Sequence, residues 1–339
     1  MRILITGAAG FIGGYLVEDL LQAGHHVIGL DNFSKYGPLR QSSLNHASYR
    51  FVEGDAKDVA LLKSLIKDVD QVVAGAARIG GISYFHEFAY DLLAENERLT
   101  AAVFDAAIDA HKKSTLKKIN VISSSMVYEN AATWPTPEGE QRRCPPPSST
   151  YGFQKLATEY YTQGAWEQYR LPYTIIRPFN CVGIGERRAA CEKEVLSGNV
   201  KLAMSHVVPD LVQKVIKGQN PLHILGDGQQ VRHYTYGGDL AQGIRLCIEK
   251  PEAVNEDFNI STATSTTVLE LAQTIWQKLR PGQPFRYVSD PPYAYDVQKR
   301  VPSTDKAARL LGYRAKTSLG EMLDIVIPWI KQQVEYGNI

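Results

Sequence analysis

The chain has 339 residues, enough to build one large hydrophobic core or two joined lobes. Its 44% hydrophobic and 22% charged residues are ordinary for a globular protein. The formal net charge of +1 gives no reason to expect nucleic acid or an anionic membrane as a partner.

Residues 1–125 alternate short apolar runs with amphipathic helical patterns, which predicts βαβ units and a parallel sheet with helices on both faces. The predicted strands are Arg2–Ile5, His26–Leu30, Tyr49–Glu53, Gln71–Gly75 and Lys118–Ser123. The predicted helices are Phe11–Ala23, Val59–Ile66 and Leu92–His111. The pattern then predicts a loop over Trp134–Pro147, a helix over Tyr151–Tyr169 and a strand over Tyr173–Arg177.

The pattern loosens from about residue 181. Gly183–Leu202 is predicted to be an irregular insertion. Short helices and strands follow at Val208–Lys217, Leu222–Leu225, Gly238–Glu249, Val268–Lys278 and Gly320–Tyr336. We therefore predict an α/β fold with a doubly wound parallel sheet over residues 1–180. A smaller lobe over residues 181–339 is interleaved with it, with some chain crossing back.

Cysteine usage and the N-terminus indicate the compartment. The four cysteines are widely spaced and include no Cys-x-x-Cys pair, so reduced thiols are expected rather than disulfides or a metal site: Cys144, Cys181, Cys191 and Cys247. The N-terminal sequence predicts a strand rather than a signal peptide. No apolar run approaches the ~20 residues needed to span a bilayer. We expect a soluble cytoplasmic protein.

A glycine-rich loop follows the first strand. Gly7, Gly10 and Gly13 form a Gly-x-x-Gly-x-x-Gly pattern that opens a helix, so the backbone can turn tightly and approach a pyrophosphate at the helix N-terminus. Asp31 ends the second strand, where an acid accepts hydrogen bonds from an adenosine ribose and repels a 2′-phosphate. These residues predict NAD rather than NADP; the alternative is a structural turn with a solvated helix cap.

Asp55 follows the third predicted strand, in the sequence Glu53-Gly54-Asp55-Ala56. It is expected either to meet the adenine edge of the dinucleotide or to cap the next helix at its N-terminus.

A Tyr-x-x-x-Lys pair begins the helix at Tyr151–Tyr169. Tyr151 and Lys155 lie one turn apart on one helix face, where the ammonium is expected to lower the pKa of the phenol. Ser124, on a preceding strand end, is expected to share the moving proton. The three residues predict chemistry in which a proton leaves an alcohol while a hydride leaves the same carbon.

Over almost its full length the chain resembles the extended short-chain dehydrogenase/reductase family, specifically its nucleotide-sugar epimerases and dehydratases. The matching segments are Thr6–Gly13, Gly54-Asp55, Ala76-Ala77, Asn96, Ser123–Tyr128, Tyr151–Lys155, Arg177–Asn180, Arg232–Tyr236 with Asp239, Arg300–Pro302 and Lys306–Gly312. The resemblance implies a Rossmann-like NAD domain, a nucleotide-sugar lobe and a homodimer.

The resemblance also implies roles for individual residues. Tyr151 is the general base, Lys155 lowers its pKa and binds the nicotinamide ribose, and Ser124 hydrogen-bonds the reacting sugar oxygen. The residues implied to bind NAD are Gly7, Gly10, Phe11, Ile12, Gly13, Asp31, Asn32, Asp55, Ala56, Ala76, Asn96, Tyr151, Lys155 and Pro178. Those implied to bind the nucleotide sugar are Ser124, Tyr151, Asn180, His206, Arg232 and Arg300.

Two of the implied substrate residues are arginines. The guanidinium fork of Arg232 suits diphosphate oxygens, although a surface ion pair is the alternative. Arg300 fits the same anionic site.

Departures from the family pattern bear on the reaction. The dehydratases carry an Asp-Glu pair where this chain has Ser125-Met126, and a methionine cannot move a proton. Nucleotide-sugar decarboxylases usually carry a glutamate at the Met126 position, although Arg300 matches an arginine that they use. The 3,5-epimerases of GDP-sugars carry a cysteine there.

Other segments resemble that last subgroup. Gly80-Gly81-Ile82 resembles its Gly-Gly loop, and Ser205–Pro209 resembles the segment that holds its acid histidine. His206 is therefore an acid, a phosphate contact or a packing residue. Glu129 replaces the glycine that most epimerases have after Val-Tyr, and His233 replaces the usual aspartate after Arg232.

Without an added acid–base pair at residues 125–126, the simplest chemistry is oxidation at C4, rotation of the ketone and reduction on its other face. We predict an NAD-dependent 4-epimerase of a nucleoside-diphosphate hexose, with a UDP-sugar as the first candidate. The enzymatic alternatives are a nucleotide-sugar 3,5-epimerase, decarboxylase or dehydrogenase. The non-enzymatic alternative is a catalytically idle NAD-binding regulator.

Overall fold

A seven-stranded parallel sheet forms the centre of the protein, as seen in a computed structural model. The structure describes residues 1–37, 42–80, 87–113, 115–186, 195–202, 206–292 and 297–338. Its strands are β1 (Arg2–Thr6), β2 (His26–Asp31), β3 (Tyr49–Glu53), β4 (Gln71–Ala74), β5 (Lys118–Ile122), β6 (Tyr173–Pro178), β7 (Cys181–Val182), β8 (Val195–Ser197), β9 (Val200–Leu202), β10 (Leu222–Leu225), β11 (Val231–Arg232), β12 (Thr235–Tyr236), β13 (Glu256–Ile260), β14 (Thr266–Thr267) and β15 (Tyr287–Asp290). Its α-helices are α1 (Phe11–Gln22), α2 (Val59–Ile66), α3 (Ala89–Lys112), α4 (Thr150–Tyr169), α5 (Val207–Ile216), α6 (Gly237–Glu249), α7 (Val268–Leu279) and α8 (Leu319–Glu335).

The strand order of the large sheet is β3-β2-β1-β4-β5-β6-β13, and every neighbouring pair is parallel. From β1 the chain moves outward to β2 and β3, then continues with β4 on the other side of β1. The reversal of direction opens a crevice beyond the carboxyl ends of β1 and β4, where doubly wound folds bind ligands. The predicted α/β, Rossmann-like fold class is confirmed.

Helices cover both faces of the sheet because successive strand residues point to opposite sides. Ile3 and Ile5 of β1 belong to the core that α1 and α6 complete, whereas Leu4 belongs to the core that α2, α3 and α4 complete. All three side chains are at most 1% exposed. Burial on both faces explains why the strands are short, nearly continuous apolar runs.

The C-terminal lobe has a core of its own, formed by residues of α5, α7, α8 and β10. Helices α7 and α8 each begin with a capping box, in which an N-cap hydroxyl and a glutamate three residues later bond to each other's backbone N–H. The pairs are Thr267 with Glu270 and Ser318 with Glu321. Both helices are therefore stabilised at their first turns by local sequence alone.

After residue 180 the chain returns to the large sheet. Helix α6 packs in the same core as α1, and β13 pairs with β6 as the seventh strand. Ala307 and Leu311 join that core as well. The smaller lobe is thus interleaved with the sheet, as predicted. A division into domains at residues 1–180 and 181–339 stays a prediction.

The helices and strands predicted from the sequence lie within three residues of the observed bounds. Trp134–Pro147 is irregular except for a short turn at Glu140–Arg142. Gly183–Leu202 was expected to be irregular, but its last residues form the antiparallel pair β8–β9. Residues 187–194 of that insertion lie outside the described residues.

Strand β13 was missed, as were the short strands β7, β11, β12, β14 and β15. The sequence of β13, Glu-Asp-Phe-Asn-Ile, contains three polar residues of types that are depleted in strands. Tertiary contacts override that preference: Phe258 and Ile260 are fully buried in the sheet core. The Asn259 side chain accepts a hydrogen bond from Tyr128 and donates to the carbonyl of Thr136.

The cysteines in the described residues are free thiols: Cys144, Cys181 and Cys247. Cys191 lies outside the described residues. Burial raises the pKa of Cys247 to about 12, which makes it a poor nucleophile. Among the helices described, none combines the length and the apolar character that crossing a lipid bilayer requires.

A buried ion pair joins the sheet to helix α4. Arg177 of β6 has no exposed surface and donates from Nε and Nη2 to the two carboxylate oxygens of Glu159, at 2.7 and 2.8 Å. Its Nη1 donates to Tyr128 at 2.9 Å and to Asp257 at 2.8 Å. Lys306 donates to Asp257 at 2.6 Å. The fully buried Arg177 and Glu159 charges are thus paired and hydrogen-bonded, the condition under which buried charges are tolerated.

We expect Glu159→Gln to destabilise the fold strongly, because it leaves the Arg177 charge buried without its bidentate partner. Breaking such a pair costs about 3–5 kcal/mol in the free energy of unfolding. Urea unfolding followed by circular dichroism measures the change. Asp109→Asn, which removes an exposed partner of Lys113, is the control and should leave the midpoint nearly unchanged. An equally small effect of both substitutions would contradict the assigned importance of the buried pair.

Candidate active site

The residues singled out from the sequence gather at the carboxyl edge of the large sheet. Gly7 follows β1, Asp31 ends β2, Asp55 follows β3 and Ala76 follows β4. Ser124 follows β5, on the far side of β4 from β1. Because all these strands are parallel, their ends meet at one edge, and residues far apart in sequence face one crevice.

The loop after β1 approaches the end of β4 so closely that side chains are excluded. Gly7 has φ +78°, and a Cβ on it would lie 2.9 Å from Ala76 Cα. A Cβ on Gly13, in the first turn of α1, would clash with the Gly7 carbonyl oxygen. Gly10 is the N-cap of α1 and has no side chain to cover the helix N-terminus. The loop therefore leaves backbone N–H groups accessible to an anion.

Asp31 and Thr6 hold this loop in place. The Asp31 carboxylate accepts from the N–H of Ala9 at 3.0 Å and of Phe33 at 2.8 Å. Burial raises the pKa of Asp31, and those two backbone N–H groups oppose the rise. Thr6 Oγ1 accepts from the N–H groups of Gly75 and Ala76, both at 3.1 Å. The Asn32 N–H also bonds the Asp31 carboxylate, and three such donors leave it acceptor capacity for a ribose hydroxyl.

The loops after β2 and β3 carry the remaining adenosine-side candidates. Asn32 is exposed, and its Oδ1 accepts from Ser34 N–H at 3.0 Å. Asp55 Oδ1 accepts from Lys57 N–H at 2.8 Å, whereas the N-cap of α2 is Asp58. Of the two roles left open for Asp55, the helix cap belongs to its neighbour, and Ala56 beside it packs into the core.

Asn96 orders the segment after β4 from helix α3. It is 2% exposed, and its amide accepts from Arg78 N–H at 2.7 Å and donates to Arg78 O at 2.9 Å. This pair of bonds fixes the backbone next to Ala76. The predicted Gly80-Gly81-Ile82 loop follows, and residues 81–86 lie outside the described residues.

Ser124 is the N-cap of a short 3₁₀ turn, Ser125–Tyr128, and its Oγ accepts from Met126 N–H at 3.2 Å. The same hydroxyl hydrogen-bonds the Tyr151 phenol. Ser124 uses its oxygen to accept from Met126 N–H, and its hydroxyl hydrogen can be donated to the oxygen of Tyr151.

Tyr151 is buried in the first turn of α4, against Met126, Leu92 and Val297. Burial raises the pKa of its phenol, while the Ser124 hydrogen bond and the positive charge of Arg300 lower it. The sequence predicted that Lys155 lowers the pKa of the Tyr151 phenol, but in this geometry the cation that lowers it is Arg300. A base of this kind works only when such neighbours stabilise the phenolate.

Lys155 lies one turn after Tyr151 on the same face of α4, and its Nζ donates to the Ile122 carbonyl at 3.0 Å. Burial lowers the pKa of Lys155 to about 8, and the negative charge of Glu159 opposes this effect. The ammonium form therefore predominates at neutral pH. An ammonium has three donors, so two remain for a ligand.

Asn180 follows β6 and Pro178, with φ +35°. Its backbone carbonyl accepts from Thr235 N–H at 3.1 Å. Its side-chain Nδ2 is buried and has no hydrogen-bond partner among the described residues. An amide donor buried in this way is costly unless a ligand accepts from it.

Arg232 and Arg300 both lie near Tyr234. The Arg300 N–H donates to Val231 O at 3.1 Å, which holds the segment around Arg300 beside β11. Both guanidinium charges lower the pKa of Tyr234, whose burial raises it. Arg300 also acts on Tyr151. Both cations thus lie near Tyr234, and Arg300 links this pair to the reacting tyrosine.

His206 is the N-cap residue of α5, and its Nδ1 forms an ion pair with Glu186 when the imidazole is protonated. The Glu186 side chain is 6% exposed, whereas that of His206 is 47% exposed. Because His206 presents its ring to solvent, it is not a packing residue. The preceding residues 203–205 lie outside the described residues.

Sequence reasoning missed three residues that support this site. Glu159 lies four residues after Lys155, a helical spacing that could have suggested contact. Glu129 was noted only as a departure, and Glu186 was not considered. Long-range partners such as Arg177 with Glu159 carry no spacing signal.

The geometry fits a dinucleotide and an anionic sugar derivative. The glycine cradle and the α1 N-terminus suit a pyrophosphate, and the Asp31 carboxylate suits a ribose. The orphaned Asn180 amide and the two arginines suit a polar, anionic substrate. Ser124, Tyr151 and Lys155 between them provide a proton path to an alcohol oxygen.

Comparison with known proteins agrees with this geometry. Residues 3–261 match the model of the NAD dependent epimerase/dehydratase family. A Bacillus subtilis protein named as an uncharacterized UDP-glucose epimerase is 28% identical, over 97% of this chain and 98% of its own. A dTDP-D-glucose 4,6-dehydratase from Bos taurus is 25% identical, over 98% and 89%. The crystal structure of UDP-glucose 4-epimerase from Thermotoga maritima with UDP-glucose superposes with a TM-score of 0.81 at 30% identity, covering 98% of this chain and 100% of that one.

We expect Asp31→Ser to lower the preference for NAD over NADP about tenfold, which corresponds to ~1.4 kcal/mol. Asp31 repels a 2′-phosphate, and its loss also frees the Ala9 and Phe33 N–H groups, so the affinity for NAD should fall as well. Calorimetric titration with both dinucleotides measures the ratio. Asp58→Ser is the control, because it removes an exposed carboxylate while a serine can still cap α2. Tighter binding of NADP than of NAD by the unmodified protein would contradict the placement of Asp31.

Proposed function

The chain belongs to the NAD-dependent epimerase/dehydratase family, and from that membership we propose that it is a nucleotide-sugar 4-epimerase acting through a 4-keto intermediate. Its cofactor is NAD. The substrate we propose is a nucleoside-diphosphate hexose, with a UDP-sugar as the first candidate.

The position of Met126 carries the proposal. Met126 is 5% exposed and packs against Tyr151, and Ser125 beside it is also buried. A second acid or base would have to stand here to eliminate water from the sugar, as the family's dehydratases do. A thioether cannot transfer a proton, and the neighbouring hydroxyl is a weak acid and a weak base. Chemistry that needs only Tyr151 for proton transfer is therefore favoured.

The residues of the chain divide the work as follows. Tyr151 takes the proton from the 4-hydroxyl and later returns it to the 4-oxygen. The single hydroxyl hydrogen of Ser124 bonds the phenolate before the reaction and the 4-oxygen after its proton has left, while Arg300 provides positive charge for the phenolate. Arg232 and Asn180 hold the diphosphate and the sugar. The chemistry that NAD supplies when bound is reversible uptake of the C4 hydride.

Epimerisation requires that the 4-keto sugar present its other face before reduction. The anchored diphosphate keeps the intermediate bound while the sugar ring turns, which accounts for anion contacts remote from the reacting carbon. The cofactor is regenerated in every turnover, so an enzyme of this kind works without added NAD.

One observation favours a second candidate, a 3,5-epimerase. The buried carboxylate of Glu186 pairs with His206, an arrangement able to hold an imidazolium that delivers a proton to carbon. Against it stands Met126, which replaces the thiol that works with the acid histidine in that subgroup. Among the remaining alternatives, the decarboxylase has Arg300 as its main support. The idle regulator is disfavoured by the intact Ser124, Tyr151 and Lys155.

We expect Tyr151→Phe to reduce kcat by the ~10²–10⁴ typical of lost acid–base catalysis. Folding and NAD binding should stay nearly intact, because only a hydroxyl is removed.

Lys155→Met should reduce activity and also weaken the binding of NAD, since it removes the proposed ribose contact. Epimer formation from a panel of UDP-, GDP-, CDP- and dTDP-sugars, followed by NMR, measures the effect. Tyr336→Phe, at the exposed C-cap of α8, is the control. Comparable activity in Tyr151→Phe and the unmodified enzyme would remove the assigned base.

We expect His206→Gln to raise KM while largely sparing kcat, because in a 4-epimerase His206 binds substrate and transfers no proton. Product formed in D₂O should carry no deuterium on carbon. The control is His223→Gln, since His223 pairs with Asp290 at 2.8 Å on the small β10–β15 sheet. A loss in kcat of ~10²–10⁴, with deuterium at C3 or C5, would identify His206 as an acid and favour the 3,5-epimerase.

We also propose a homodimer formed by α3 and α4. These helices expose large aromatic residues, with exposed fractions of 77% for Tyr90, 49% for Phe153 and 62% for Tyr160. Large aromatic residues exposed on two neighbouring helices favour a surface that a partner covers. Tyr160→Lys should shift the protein toward monomer in light scattering at micromolar concentration. Tyr287→Lys, on β15, should not. A monomeric unmodified protein would contradict the proposal.

A further inference from the structure

Glu129 occupies an unusual place between the two segments that carry Ser124 and Tyr151. It ends the 3₁₀ turn that Ser124 begins, and its own N–H donates to Met126 O at 3.1 Å. Its carboxylate reaches the N-cap of helix α4, Ser149. The Ser149 backbone N–H donates to both carboxylate oxygens at 3.2 Å, and the Ser149 hydroxyl donates to Oε2 at 2.6 Å.

This arrangement is a capping box whose two halves come from different segments. In α7 and α8 the N-cap backbone N–H is satisfied by a glutamate at the third helical position, Glu270 or Glu321. In α4 the third position is Gly152, which has no side chain to do this. Glu129 performs the same task from outside the helix. A Cβ on Gly152 would lie 2.8 Å from Glu129 Oε2, so the glycine provides the space for the carboxylate.

The Ser149 hydroxyl links the two halves. Its oxygen accepts from Gly152 N–H at 3.0 Å while its hydrogen points to Glu129. The carboxylate thus orients the hydroxyl so that its lone pairs face the helix, and it places a negative charge at the helix N-terminus, where the helix dipole favours it. Tyr151 is the second residue of this helix, directly within the capped turn.

We propose that Glu129 is a positioning residue that fastens the Ser124 turn to the first turn of the Tyr151 helix and thereby sets the hydrogen bond between the two catalytic hydroxyls. Ser124 and Tyr151 come from separate segments, and Glu129 bonds to the N-cap of one while ending the turn of the other. The proposal concerns the same site as the proposed function but does not depend on which sugar reacts.

The test is the ionisation of Tyr151 in the NAD-bound protein, followed by NMR of ¹³Cζ-labelled tyrosine, with Tyr151 assigned by its missing signal in Tyr151→Phe. Glu129→Gln keeps the size of the side chain but weakens the bonds to Ser149. We expect the apparent pKa of Tyr151 to rise by about one unit as the Ser124 bond loosens, a tenfold change. Removal of a nearby negative charge alone would lower it, so the direction separates positioning from simple electrostatics.

Glu270→Gln is the matched control, because it weakens the same kind of cap on α7. It should leave the Tyr151 titration unchanged. Ser149→Ala, which removes the linking hydroxyl without touching Glu129, should raise the Tyr151 pKa as Glu129→Gln does, and it serves as the second variant if Glu129→Gln does not fold. In a Ser124→Ala background, Glu129→Gln should produce no further rise.

An unchanged or lowered Tyr151 pKa in Glu129→Gln would overturn the proposal, as would a rise that persists in the Ser124→Ala background. The acid limb of the kcat/KM profile should move with the NMR titration for whichever nucleotide sugar is turned over. If no nucleotide sugar is turned over by the unmodified protein, the proposed function fails, whereas the NMR titration still decides the role of Glu129.

Discussion

The buried pair of Arg177 and Glu159 is the interaction on which the site depends. Arg177 comes from the sheet and Glu159 from the helix that carries Tyr151. Ser123 Oγ donates to Glu159 at 2.6 Å, and Arg177 donates to Tyr128, so the pair holds both ends of the segment that contains Ser124. Charges so deeply buried require every partner in place. The buried pair behind the catalytic segments therefore positions them from the core, in addition to the contacts that their own loops make.

The same core sets the electrostatics of the reaction. Burial opposes both charged forms that the proposed chemistry needs, the phenolate of Tyr151 and the ammonium of Lys155. Each is offset by a specific neighbour: Ser124 and Arg300 for the phenol, and Glu159 for the ammonium. Groups whose pKa values are shifted in opposite senses by burial and by neighbours are typical of acid–base sites. The placement of Arg300 near Tyr151 also joins substrate binding to proton transfer.

How far the sequence predicts this structure depends on the range of each interaction. The glycine loop, Asp31 and the Tyr151–Lys155 spacing are local patterns that the sequence shows directly, and the structure brings these residues together at the carboxyl edge of the sheet. Strand β13 was not predictable from its polar residues, because its pairing with β6 and the burial of Asn259 are tertiary. Glu129 and Ser149 are 20 residues apart, and no periodic pattern in the intervening segment indicates their contact. Nor did the sequence indicate that Asp58, rather than Asp55, caps α2.

The central claim is that hydride leaves C4 and returns to C4 of the same sugar. The most direct measurement uses a UDP-hexose labelled with deuterium at C4, incubated with the purified enzyme in ordinary water without added NAD. The account predicts that the epimeric product keeps the deuterium at C4, because Tyr151 exchanges only the proton on oxygen. Deuterium lost to the solvent, or found on another carbon of the product, would contradict it.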